Sequence, residues 1–288
     1  MNNQATNSSF WRLINHKKIE IPNYQREYAQ GRDNRRAKGI RMGLVEALYS
    51  ALKSNTALEL DFIFGGKEGG NVGEFHPVDG QQRLTILYLL HWYLFQRTDD
   101  EDALGILKEH FLYATRTTSR TFCENICKSS SLNWNEDKLS VQLKDRPWFT
   151  GAMGYDPTVR SMLVVLDCIH DKFCKERDFT DFANKLKGED CPITFYYYDL
   201  SDNGVAFNVR DLYIKMNARG LPLTDFEIFK AELQKNVPSG SGFDLLKKYH
   251  ESLEIKDSSA ERVKLIGEFN NEYNRCAWRF VFYRVKDY

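Results

Sequence analysis

Glu74-Phe75-His76-Pro77-Val78-Asp79-Gly80-Gln81-Gln82-Arg83-Leu84-Thr85-Ile86-Leu87-Tyr88-Leu89-Leu90 holds the change of period on which the fold turns. Residues 74–78 read as a strand, and residues 84–95 as a long, strongly apolar helix that is amphipathic and buried. Between them, Asp79–Arg83 occupies the helix start, where backbone N–H groups lack intrahelical acceptors and the helix carries a partial positive charge. Such a corner is a natural cradle for phosphate. Gly80 lets a ligand approach the backbone, and Asp79 is suited either to cap the helix or to hold a metal ion. Arg83 is the anomaly: a cation in the first turn opposes the helix dipole, which makes sense if an anion lies between them. On spacing alone, a capping aspartate beside a surface arginine explains the same residues.

Working outward, residues 58–64 and 74–78 flank a turn rich in glycine (Gly65, Gly66, Gly69, Gly70, Gly73), which predicts a hairpin. The turn lacks the Gly-Lys-Ser/Thr ending of a phosphate loop and has no helix directly after it. Upstream, residues 19–21 form a short strand ending at Pro22. Residues 24–28 then make an extended loop able to bring Gln25 and Arg26 to the corner. Residues 40–52 repeat apolar side chains at helical spacing, with Leu44, Val45, Leu48 and Leu52 on one face.

Downstream, residues 103–115 and 121–128 are helix candidates, and residues 129–154, rich in Ser, Asn, Asp and Gly, read as a boundary or linker. Asp156-Pro157 opens a helix running to about residue 175, with a cap followed by proline at the first position. Residues 192–200 are a late strand returning to the sheet. Its three tyrosines, Tyr196 to Tyr198, suit either strand packing or base stacking, and packing is the commoner use. A helix over 209–217 is stopped by Gly220, a capping box at 224–227 starts another, and 238–242 is a linker before two final helices. The fold class is therefore α+β, a small mixed sheet with helices followed by a mainly helical region. Its organisation is 1–128 as the core, 129–237 as a helical region whose one strand completes that core, and 238–288 as a C-terminal helical segment.

Composition narrows the function. In 288 residues, 42% are hydrophobic and 14% aromatic, which suits a globular protein. No run reaches the roughly 18 apolar residues of a membrane span. The polar first nine residues are no secretory signal, so a cytoplasmic location is expected. The 40 basic and 40 acidic residues cancel, so contact with DNA must come from a local patch. One such stretch holds Arg26, Arg32, Arg35, Arg36, Lys38 and Arg41 against Glu27 and Asp33, and reads as a nucleic-acid contact or as a solvated face. Six scattered cysteines and six dispersed histidines make no zinc set and no metallohydrolase spacing. His76 could serve as a base, although strand alternation alone explains its place.

Three ordered blocks carry a family resemblance. Ile21-Pro22-Asn23-Tyr24-Gln25-Arg26-Glu27-Tyr28, Asp79-Gly80-Gln81-Gln82-Arg83 and Tyr213-Ile214-Lys215-Met216-Asn217-Ala218-Arg219-Gly220-Leu221-Pro222-Leu223 resemble the signature of the N-terminal domain of GmrSD-type, modification-dependent (type IV) restriction endonucleases. The likeness covers about residues 10–235. It implies a ParB/sulfiredoxin-like core, and nucleotide binding and hydrolysis coupled to defence against foreign, often modified, DNA. On that basis Asp79, Gln82 and Arg83 are the expected catalytic residues, with Asp79 positioning Mg²⁺ or water. Tyr24, Gln25, Arg26, Gly80, Gln81, Lys215 and Asn217 would contact a nucleoside triphosphate, and Arg32, Arg35 and Arg36 would contact DNA. The family's usual HNH-like nuclease module is expected as a separate part or subunit: the last fifty residues hold only His250, so cleavage of DNA by this chain alone is not expected. Three functions compete: a nucleotide-hydrolysing regulatory domain, a DNA-reading module that uses nucleotide only as an allosteric ligand, and an interaction subunit with a degenerate nucleotide site, against which the intact Asp79–Arg83 block argues.

Overall fold

The computed structural model describes residues 6–22, 25–67, 73–114, 116–129, 132–135 and 138–200. The helices expected over 209–217 and after residue 224, the linker at 238–242, and Tyr24, Lys215 and Asn217 lie outside the described residues. The described part is α+β, as its sequence pattern predicts. Elements are numbered in chain order. One mixed sheet has the spatial order β1 (Thr6–Ser8), β7 (Ile193–Asp199), β3 (Leu58–Gly65), β5 (Pro77–Asp79). β1 runs antiparallel to β7, β7 parallel to β3, and β3 antiparallel to β5. A second, parallel sheet places β2 (Lys18–Ile21) between β4 (Glu74–Phe75) and β6 (Phe111–Tyr113). The late strand does return to the sheet, and it lies in its interior.

Two strand expectations change. The single strand over 74–78 is split at His76, and its halves join different sheets. Pro77 has no N–H to continue a ladder, and the His76 carbonyl turns aside to accept from Gly66 N at 3.0 Å. The helix expected over 103–115 is shorter, α4 (Glu101–His110), and gives way to β6. Phe111 and Tyr113 suit a pleated surface, and pairing with β2 overrides the helical period.

The apolar helix is α3 (Gln81–Arg97), and it is not amphipathic: every residue from Leu84 to Gln96 is buried. It is enclosed by α4, α8 (Pro157–Phe173) and α9 (Phe179–Lys187). Its polar tips find partners inside. Tyr88 Oη donates to the Cys123 carbonyl at 2.9 Å, Trp92 Nε1 to the Ile126 carbonyl at 2.9 Å, and Thr85 Oγ1 shares a hydrogen bond with Tyr113 Oη at 2.6 Å. α2 (Arg35–Ser54) buries Val45, Leu48 and Leu52 as its spacing predicts. α8 opens with Asp156 as N-cap and proline in the first turn, again as predicted.

The core crosses residue 128 without a break. In the stretch 129–154, α6 (Leu139–Lys144) and α7 (Gly151–Tyr155) pack on α8, and Leu132, Leu139, Leu143 and Met153 join the same hydrophobic cluster as α1 (Phe10–His16) and α5 (Thr117–Ile126). The described residues of this stretch form a packed wall built on two short helices. The five described cysteines are free thiols. Burial pushes Cys127 up to about 12 and raises Cys123, so neither is a reactive thiolate. No described helix is long and apolar enough to cross a membrane.

Candidate nucleotide site at the start of the buried helix

Asp79 ends β5 directly opposite Phe64 of β3, and Gly80 turns the chain into α3. Gly80 has φ +98°, the left-handed region, and a Cβ there would meet Ile63 Cγ1 at 2.7 Å. Glycine is required on both counts. Gly80, not Asp79, occupies the N-cap position, and no side chain caps the helix. The first helical bond is Leu84 N to the Gly80 carbonyl, 2.9 Å. The helix start therefore keeps the uncapped amides that an anion site needs, with no acidic residue in the first turn.

Arg83 lies across this corner. Its Nη1 donates to the Phe62 carbonyl, and its Nη2 reaches Asp79 Oδ2 at 3.3 Å. The Asp79 side chain is 55% exposed and that of Arg83 23%. A pair this open is held weakly, by about 1 kcal/mol or less, so Arg83 can exchange Asp79 for a stronger anion.

Gln82, expected as a catalytic residue, and Gln81, expected to contact nucleotide, both bond to the upstream loop. Gln82 Oε1 accepts from Ala29 N at 2.9 Å, and its Nε2 donates to the Glu27 carbonyl at 3.2 Å. Gln81 Nε2 donates to the Arg26 carbonyl at 2.7 Å. In return, Gln25 Nε2 donates to the carbonyls of Pro77 and Val78 at 2.8 and 2.9 Å. These three amides stitch the loop over residues 25–30 to the β5–α3 corner, so two of the resembling blocks are brought together. Arg26 and Gln25 reach the corner as predicted, Arg26 through its backbone and Gln25 through its side chain.

A second support escaped the sequence reading. Asp156, its side chain 1% exposed, accepts from Arg116 Nη1 at 3.1 Å, Ser119 Oγ at 2.6 Å, Thr118 Oγ1 and Thr158 N. Arg116 Nη2 extends the chain to Glu27 Oε1 at 2.6 Å, and so grips the same loop. Only the Asp-Pro helix cap was visible in sequence; Arg116 lies 40 residues from Asp156, and Glu27 a further 89 from Arg116.

The basic stretch separates into two kinds of residue. Arg32, Arg35 and Arg36 are exposed around the start of α2, Arg32 at 3.9 Å from Glu27. Arg41 is buried and donates to the Gln30 carbonyl at 2.7 Å, so it is not part of a surface patch. His76 is half-buried between the two sheets. Of the tyrosines, Tyr197 packs edge-on against Phe75 of the second sheet, ring centroids 5.0 Å apart, whereas Tyr196 stacks on Phe62 at 5.2 Å, and Phe62 is 54% exposed.

No group of three or more His, Cys, Asp or Glu among the described residues is arranged to hold a metal ion. Asp79 is a single open carboxylate. Magnesium needs no more than one or two protein carboxylates when it arrives on a nucleotide's phosphates, so Asp79 fits that mode and not a site built from protein ligands alone. A search among curated proteins finds no match. The family model described as "GmrSD restriction endonuclease, N-terminal domain" matches residues 10–234, a span that takes in all three resembling blocks. The chain belongs to the GmrSD restriction endonuclease N-terminal domain family.

Proposed function

We propose that this module of a DNA-targeting antiphage restriction system binds and hydrolyses a nucleoside triphosphate at the start of α3, and thereby regulates an HNH-like nuclease partner. The observation that carries the reading is the uncapped helix start opened by Gly80, with Arg83 laid across it, held by the Phe62 carbonyl and by an exposed ion pair with Asp79. Amides and guanidinium would hold the phosphates. Asp79, freed from Arg83, would position the attacking water or a magnesium ion carried by the nucleotide; the ion would supply neutralisation of phosphate charge. Gln81, Gln82 and Gln25 keep the covering loop in place. The first sheet, with α3 springing from its edge, is taken as the ParB/sulfiredoxin-like core.

Calorimetric titration with each triphosphate, with and without Mg²⁺, and assay of phosphate release test this. Arg83→Ala is expected to weaken binding at least tenfold, and Asp79→Ala to abolish release while binding persists. Undiminished turnover in both variants removes the site.

The exposed ridge of Arg32, Arg35 and Arg36 favours a second reading, in which the module reads DNA, modified bases included, and nucleotide acts as an allosteric ligand. Each lost phosphate contact on duplex DNA lowers the slope of log affinity against log salt by about 0.9. Neutralising all three is expected to flatten that slope, and an unchanged slope rejects the ridge as the contact.

A further inference from the structure

We propose that the open face of the first sheet is a nucleobase platform, with Phe62 as the stacking ring and Tyr196 as its support. This rests on the nucleotide reading above and names where the base goes. The ladder between β3 and β7 shifts register between Leu60 and Ile63: Leu60 pairs with Phe195 and Ile63 with Tyr197, so Asp61 and Phe62 together oppose Tyr196. This is a bulge, a device that re-aims a side chain. Its effect is that Asp61 and Phe62 both face solvent, between the buried Leu60 and Ile63.

Phe62 would otherwise be an exposed ring without purpose. It is 54% exposed, yet it is held in a defined pose by stacking on Tyr196, centroids 5.2 Å apart and planes 26° from parallel. One face of the ring is thus supported and the other is open to a second planar group. The same bulge joins the platform to the phosphate corner, because the Phe62 carbonyl is the acceptor of Arg83 Nη1. Phe64, two residues on, pairs with Asp79. A ligand with an anionic end and a planar aromatic end spans these two features.

Charge selects a free nucleotide over a nucleic-acid strand. Glu59, Asp61 and Asp79 are all exposed around this face. A strand would lay a phosphate beside every stacked base and against those carboxylates. A mononucleotide carries its phosphates at one end, where Arg83 and the α3 amides lie.

Full-length protein is titrated calorimetrically with ATP, GTP and inorganic tripolyphosphate, each with Mg²⁺, and with a single-stranded oligonucleotide. Stacking of one base changes affinity by about tenfold. Phe62→Ala and Tyr196→Ala are expected to weaken the preferred nucleoside triphosphate by that factor and to leave tripolyphosphate within twofold; Tyr196→Phe retains wild-type affinity. Arg83→Ala weakens both ligands. Platform variants that bind the nucleoside triphosphate normally, or that lose tripolyphosphate equally, overturn the platform while leaving the phosphate site standing. Oligonucleotide binding that falls in these variants while triphosphate binding holds overturns the choice of ligand. Wild-type protein that binds neither triphosphate nor tripolyphosphate overturns both this inference and the site beneath it.

Discussion

Gln82 shows how one residue in a legible motif acquires a role that its neighbours in sequence do not reveal. The block Asp79–Arg83 marks a strand-to-helix corner from sequence alone, and Gly80 fulfils that reading through its left-handed φ and its contact with Ile63. The direction of the two glutamine amides depends on a loop more than fifty residues upstream, and no local periodicity encodes it. Replacing Gln82 by alanine removes the acceptor of Ala29 N–H and the donor to the Glu27 carbonyl, each bond contributing about 1 kcal/mol. Amide exchange at Ala29 is expected to accelerate about fivefold or more, with α3 amides unaffected. Exchange at Ala29 that stays at the wild-type rate shows that the stitch does not hold the loop.

Helix α3 and helix α2 make opposite use of their surfaces. The buried position of α3 was legible in its unbroken apolar run, but its lack of a polar face was not, because Tyr, Thr and His count as polar until their partners are known. His91 is the case in point. Its Nδ1 donates to the Leu87 carbonyl at 2.7 Å, its Nε2 has no partner among the described residues, and burial depresses its pKa to about 3. The unfolded chain therefore binds a proton below the ordinary value near 6.5 that the folded chain refuses down to about 3. Stability is full above that ordinary value and falls with pH through the window below it, by up to about 5 kcal/mol. Urea unfolding at pH 7 and pH 4.5 measures the loss, and His91→Phe, which suits neighbours Phe10, Trp11 and Phe95, should remove about 1–3 kcal/mol of the difference. An unchanged difference would place the acid sensitivity elsewhere. On α2, Gly39 and Gly43 lie inside a helix with nothing within 4 Å of an added Cβ, and neither has positive φ. Alanine at each should therefore stabilise by about 0.5–1 kcal/mol, read as a rise in melting temperature. A fall would mean that their backbones meet something the helix alone does not show.

At the scale of the molecule, the question is whether the two sides of residue 128 fold as one. Polar composition over 129–154 makes a boundary look natural, yet composition cannot report that Leu139, Leu143 and Met153 turn inward together, because short helices give too few turns for a readable period. Phe10, at one end of the described chain, and Phe195, near the other, sit in one cluster. The electrostatic counterpart of that cluster is Asp156, which caps α8, receives two hydroxyls of α5 and holds Arg116 against the Glu27 loop. Asp156→Ala would strand a partly buried guanidinium and two hydroxyls and would uncap α8, at a cost of about 3 kcal/mol or more. Asp156→Asn keeps the shape and some of the acceptors, and should cost less. If the cluster is one cooperative unit, native-state amide exchange will show α3 and α8 losing protection by the same amount in Asp156→Ala. Loss confined to α8, with α3 retaining its wild-type opening energy, would mean that residues 129–200 open separately from the core that carries the Asp79–Arg83 corner. In that event the loop over residues 25–30 would loosen by way of Glu27 without any weakening of the sheet. Nucleotide affinity would then fall in Asp156→Ala while the Phe62–Tyr196 stack kept its near-ultraviolet dichroism, and the two measurements together separate a loosened cover from a damaged floor.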